Sequence, residues 1–116
     1  MRFVKRSDLM KMPKGTLYMK FTPMIFGELQ VFCSKEDWGN DFVYRPLIAI
    51  DANDSGEEYD IVTSALVTGE SIKLDQEATS RDGMFETDEQ MFAVLEKADL
   101  LAFASTIIRA LANFQE

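Results

Sequence analysis

Arg81-Asp-Gly-Met-Phe-Glu-Thr-Asp-Glu-Gln90, Met91-Phe-Ala-Val-Leu95, Glu96-Lys97, Ala98-Asp-Leu-Leu-Ala-Phe-Ala-Ser-Thr-Ile-Ile-Arg-Ala-Leu-Ala-Asn-Phe114: the last third of the chain decides its fold. Thr87 and Gln90 fit a capping box, which would open one helix over residues 88–113. At about 1.5 Å per residue such a helix is about 39 Å long. A compact domain of this length has a radius of gyration of only about 13 Å. The alternative divides the stretch. Met91 to Leu95 is a short run apolar on both faces, as a central strand is. A helix then starts near Ala98, with Asp99 complementing the dipole in its first turn. Leu100, Leu101, Ala104, Ile107, Ile108, Leu111 and Phe114 form a wide apolar stripe on it. Strand followed by helix is the preferred reading.

Working backward, Arg2 to Lys5 suits a first strand, and Ser7 an N-cap for a helical turn reaching Met12. Pro13-Lys14-Gly15 stops that turn. Thr16 to Thr22 alternates, with Leu17, Met19 and Phe21 on the apolar side. Glu28 to Cys33 alternates again, placing Leu29, Val31 and Cys33 inward, so a hairpin is expected around residues 23–27. Phe42 to Ile50 continues the meander, and Pro46 requires an edge or a bulge there. Asp51 to Gly56 reads as a loop. Tyr59 to Thr68 combines helical spacing and a C-capping Gly69 with β-branched residues, and a short helix is favoured over a strand. The expectation is one α+β domain: an antiparallel β-meander sheet, a C-terminal helix packed on one face, and one or two short helices.

With 116 residues, 47% of them apolar, the chain is long enough for one ordinary core. It has no apolar run long enough to span a membrane. Asp8, Lys11 and Lys14 interrupt the basic N-terminus, so no secretion leader is expected. The net charge of −8 is unevenly spread. Arg2, Lys5, Arg6, Lys11, Lys14 and Lys20 crowd the first residues, while acids dominate residues 51–99, opposed only by Lys73, Arg81 and Lys97. Such a surface disfavours direct binding to nucleic acid, which runs on Lys and Arg neutralising phosphates. It suits a protein partner with a basic surface.

No catalytic motif is present. The chain has no histidine, which removes the commonest general base and transition-metal ligand. The single Cys33 therefore lacks an activating imidazole and reads as a small buried hydrophobe. No glycine-rich phosphate loop occurs. Asp51-Ala-Asn-Asp54-Ser-Gly56 resembles the start of a calcium loop, but position twelve is Val62 where the ligand set requires Glu. No metal and no cofactor are expected. The residues singled out for partner binding are Trp38, a loop aromatic of the type that anchors interfaces, the acids Asp51, Asp54, Glu57, Glu58 and Asp60, and Arg81. Arg81 is also suited to pairing with Asp75, Glu77 or Asp99.

Two segments carry a resemblance. Ser7-Asp-Leu-Met-Lys-Met-Pro13-Lys-Gly15-Thr-Leu-Tyr18 with the following Phe-Gly-Glu-Leu strand is similar to the opening of small uncharacterised accessory proteins of phages and prophages of Gram-negative bacteria. Arg81-Asp-Gly83-Met-Phe85, Met91-Phe-Ala-Val and Ala98-Asp99-Leu100 resemble their closing strand and helix. The resemblance implies an accessory protein in the cytoplasm of the infected or lysogenic host cell, and it brings no catalytic residues. The expected function is non-enzymatic: binding of a host or phage protein with a basic surface, as an inhibitor or modulator of a host protein in defence or nucleic-acid binding. The alternatives are a self-assembling structural component, in which a homo-oligomer is expected, and a carboxylate-based metal-dependent enzyme.

Overall fold

The computed structural model describes residues 1–36, 40–83 and 87–114. Its elements are β1 (Arg2–Lys5), α1 (Arg6–Leu9), β2 (Leu17–Thr22), β3 (Ile25–Lys35), β4 (Phe42–Pro46), α2 (Ser55–Thr68), β5 (Ser80–Arg81), β6 (Met91–Val94) and α3 (Lys97–Ala112). The strands form one antiparallel sheet in the order β1-β6-β2-β3-β4-β5. The fold is α+β.

The strand-then-helix division of the C-terminal third is the one the chain adopts. β6 lies between β1 and β2, pairing Phe92 with Val4 on one side and with Lys20 on the other. A strand with neighbours on both edges suits the uninterrupted Met91–Leu95 run, and Phe92 and Ala93 are fully buried. Thr87 to Gln90 is a turn, with the Gln90 N–H donating to the Thr87 carbonyl at 3.0 Å. The break comes at Glu96, whose N–H donates to the Asp99 carboxylate at 2.8 Å, half of a capping box that starts α3.

β2 and β3 meet in a tighter hairpin than the sequence suggests. Thr22 pairs directly with Ile25, leaving a two-residue turn at Pro23 and Met24. Pro23 supplies the fixed φ, and Met24 takes the left-handed conformation, φ 64°, that such turns usually assign to glycine. Gly27 serves instead at the irregularity opposite Lys20, where a Cβ would meet the Lys20 carbonyl oxygen at 3.3 Å. Pro46, expected at an edge or a bulge, is the last residue of β4, beyond the part of that strand paired by short β5.

The core lies on the face that alternation alone marks as polar. Val4, Leu9, Met10, Tyr18, Phe32, Phe42, Phe92 and Val94 form one cluster. Tyr18 meets Phe92 and Phe42 edge-on at centroid distances of 5.6 and 6.2 Å, geometry favoured by the ring quadrupoles. The expectation that Leu17, Met19, Phe21, Leu29, Val31 and Cys33 face the core is corrected: all six are only half-buried, whereas Tyr18, Gln30 and Phe32 between them are buried. The reason is the lid. α1 and the residues after it cover the Tyr18 face with Arg6, Leu9 and Met10. Among the described residues, α3 is the element beside the opposite face.

Neither long helix buries a residue. α3 turns Leu100, Phe103, Ala104 and Ile107 to an open groove of about 330 Å³ shared with Leu17, Leu29, Leu47 and Leu95 of the sheet side. α2 starts at Ser55, earlier than the loop reading of residues 51–56 allows, because Asp54 caps it: its Oδ1 accepts from the Glu57 N–H at 2.8 Å. Gly69, φ 75°, closes α2 as expected, donating its N–H to the Ala65 carbonyl at 2.8 Å. Ser7 is not a cap. Its N–H and hydroxyl both donate to Asp88, at 2.8 and 2.9 Å, tying α1 to the turn before β6. No helix among the described residues is long and apolar enough to cross a membrane.

Candidate functional site

Between Arg45 and Lys73 the chain has no basic residue, and that segment contains Asp51, Asp54, Glu57, Glu58, Asp60 and Glu70. α2 organises these acids. Glu57 and Glu58 sit in its first turn, where the helix dipole favours negative charge, and Asp60 in its second. Glu57 and Asp60 face the same side, three residues apart. With Ile61, Ser64 and Ala65 of the helix, and with Glu70, Ser71 and Ile72 after it, they line a cleft of about 270 Å³. Glu58 takes the other flank, lining a shallower depression with Ser55, Tyr59 and Val62.

The remaining expected residues divide between structural and separate positions. Asp54 is spent on the N-cap. Asp51 sits at the base of the excursion, where its N–H donates to the Lys73 carbonyl at 3.0 Å and its carboxylate lies 3.6 Å from the Lys73 ammonium. Asn53 donates to Glu57 at 3.0 Å, which orients that carboxylate. Arg81 belongs to β5, and its Nε is 3.7 Å from Glu36, a carboxylate that sequence spacing did not suggest. Trp38 lies outside the described residues. Glu70, which the sequence reading missed, joins the cleft because the turn at Gly69 folds the chain back along α2. Its signal in the sequence is its place immediately after the C-capping glycine.

A second polar constellation was not anticipated. Arg6, the first residue of α1, is fully buried and forms an ion pair with Asp82, whose carboxylate is buried and lies 2.8 Å from the Lys20 ammonium. The guanidinium also donates to the carbonyls of Asn40 and Gly83, at 2.6 and 2.7 Å, and lies 4.8 Å from the centre of the Phe42 ring. Asp41 completes the cluster, accepting from the N–H groups of Phe42 and Gly83 at 2.8 and 2.7 Å. Burial by itself raises the pKa of the Asp82 carboxyl, but hydrogen bonds from Lys20 and Arg6 outweigh it and hold the group below its ordinary value. The Tyr18 phenol is pushed up, by burial first and then by the nearby Asp82 charge, and its hydroxyl has no hydrogen-bond partner among the described residues. Opposite charges face each other here, and the cluster anchors residues 40–42 and 82–83 against α1.

Among the described residues no group of three or more His, Cys, Asp or Glu side chains is placed to hold a metal ion. Cys33 is half-buried, with its thiol 3.7 Å from the Val31 carbonyl, at the point where the β3–β4 register shifts. The chemistry that the exposed acids offer is recognition of positive charge. Comparison with protein-family models, with curated proteins and with solved structures gives no match to this chain.

Proposed function

We propose that this chain acts by binding another protein, presenting the acidic flank of α2 to a basic surface. The carrying observation is the cleft in which Glu57, Asp60 and Glu70 surround a volume of about 270 Å³ with no base on the helix itself. A Lys or Arg side chain of a partner fits such a site, its aliphatic stem along Ile61, Ala65 and Ile72 and its charged end among the carboxylates. The proposed partner is a nucleic-acid-binding protein of the host, whose phosphate-binding groove these acids occupy in competition with nucleic acid. That is the role of an inhibitor or modulator, in keeping with the phage-type resemblance of the opening and closing segments. The protein is proposed to work in the cytoplasm of its host, as a binder and not as an enzyme.

The test is binding to basic nucleic-acid-binding proteins of the host, measured at low salt and again at several-fold higher salt. Association should slow and weaken as salt rises, since screening acts over about 8 Å at physiological ionic strength. The Glu57→Lys, Glu58→Lys, Asp60→Lys triple variant should lose it. Binding that survives both salt and charge reversal would refute the acidic-surface reading. A second reading, a self-assembling structural component, draws on a different observation, the exposed apolar stripe of α3.

A further inference from the structure

We infer that two copies of this chain associate through α3 and the sheet face beneath it, forming a symmetric apolar interface. The first observation is area. The accessible surface is 8444 Å², whereas a folded monomer of this mass exposes about 6,400 Å². The radius of gyration is 16.5 Å, against about 13 Å for a compact domain of this length. The excess, about 2,000 Å² per chain, is shared between α2 and α3, neither of which buries a residue; one protomer of an obligate homodimer buries about 1,000–2,500 Å².

The second observation is the apolar surface that α3 contributes to it. Leu100, Leu101, Phe103, Ile107, Ile108 and Leu111 are each 39 to 68% exposed. The groove beside α3 takes Leu100, Phe103 and Ile107, but Leu101, Ile108 and Leu111 extend the stripe beyond it. The uncovered sheet face continues the patch. Phe3, Phe21 and Phe26 stack on one another there, with centroids 4.8 to 6.3 Å apart, and Phe3 and Phe26 are half exposed. Contiguous exposed apolar patches beyond a few hundred Å² mark interaction sites.

The third observation is charge, and it selects the occupant. A second copy repeats the net charge of −8, so it is tolerated only where like charges do not meet. From Leu100 to Leu111 the helix has one charged residue, Arg109, and no acid. A basic partner finds nothing there to attract it, while an identical apolar stripe is its own complement under a twofold axis. The acidic side of α2 stays outside this interface, so the pair presents two such surfaces.

Sedimentation of the wild type at micromolar concentration should give twice the chain mass at both low and high salt. Leu101 and Ile108 are exposed in the single chain, so the Leu101→Glu, Ile108→Glu variant should keep its circular dichroism and sediment at half the wild-type mass. Hydrogen exchange of the wild type through a dilution series covers the case of a variant that misfolds: residues 100–111 should lose protection as the pair dissociates. A wild type at single-chain mass overturns the inference, including one that binds lipid vesicles or a foreign peptide through α3. So does assembly beyond two copies, a folded double variant that stays paired, or exchange independent of dilution. The Glu57→Lys, Glu58→Lys, Asp60→Lys variant should still pair, which separates this inference from the acidic-surface reading.

Discussion

Asp82 is the residue whose loss should be felt most. It is buried between Arg6 and Lys20, and removing one partner of a buried ion pair strands the other charge. Asp82→Ala should therefore cost about 3–5 kcal/mol in denaturant unfolding. Its pH signature follows from the lowered carboxyl pKa. The unfolded chain holds the proton more tightly than the folded one, so the contribution is complete above about pH 4 and disappears as pH falls through the folded-state value. Acid unfolding of the wild type should steepen there, and that part of the profile should be missing from Asp82→Asn. Met24 makes a smaller, opposite case. Its φ of 64° strains a side chain that is almost wholly exposed, and Met24→Gly should raise stability by up to about 1 kcal/mol in thermal unfolding. Neither role is legible in the sequence. Asp82 looks like half of an Asp-Gly turn, and nothing local reveals that Arg6, a distant base in an apparently exposed basic run, closes over it.

At the scale of elements, β6 and α3 are the most informative pair. Lys97 is the first residue of α3, where proline needs no intrahelical N–H, so Lys97→Pro should leave far-UV helicity almost unchanged. Ser105→Pro, in mid-helix, should remove much of that signal and cost about 3 kcal/mol or more. The type and approximate bounds of these elements follow from composition and spacing. Apolar residues on both faces specify a strand paired on both edges, and a stripe with helical period specifies a helix. Alternation identified β2 and β3 but misassigned their inner face. Tyr18 and Gln30 look polar and are buried, Tyr18 in one cluster with Leu9 and Met10, while Leu17, Met19 and Leu29 look like core residues and remain half-open. Strand periodicity gives two faces and says nothing of which one receives the lid.

For the whole molecule, the balance between charge and exposed apolar area sets the behaviour. If the chain pairs through α3, the thermal midpoint should rise with protein concentration, because mass action stabilises the associated state. Salt should leave that dependence nearly intact while weakening any association made through α2. The candidate acidic surface was legible in outline: a long segment without a base is visible in the sequence, and Glu57, Glu58 and Asp60 all fall within it. What was not visible was its division, with Glu57 and Asp60 in one cleft, Glu58 on the other flank, Asp54 spent as a cap, and Glu70 brought in from beyond Gly69.

The sequence by itself determined the local conformations, since these depend on short-range terms. Asp54 and Gly69 bound α2, the Glu96–Asp99 pair starts α3, Pro23 sets a hairpin, and the apolar run of β6 requires neighbours on both edges. It also determined that a base-free acidic segment occurs. Tertiary structure alone decided strand order, the face that became the core, and the burial of Arg6 against Asp82. Those outcomes depend on contacts between residues up to 92 positions apart. Pattern within a strand or helix is the same whichever partner covers it, so only assembly of the sheet could show that the most apolar face of this chain is the one left open.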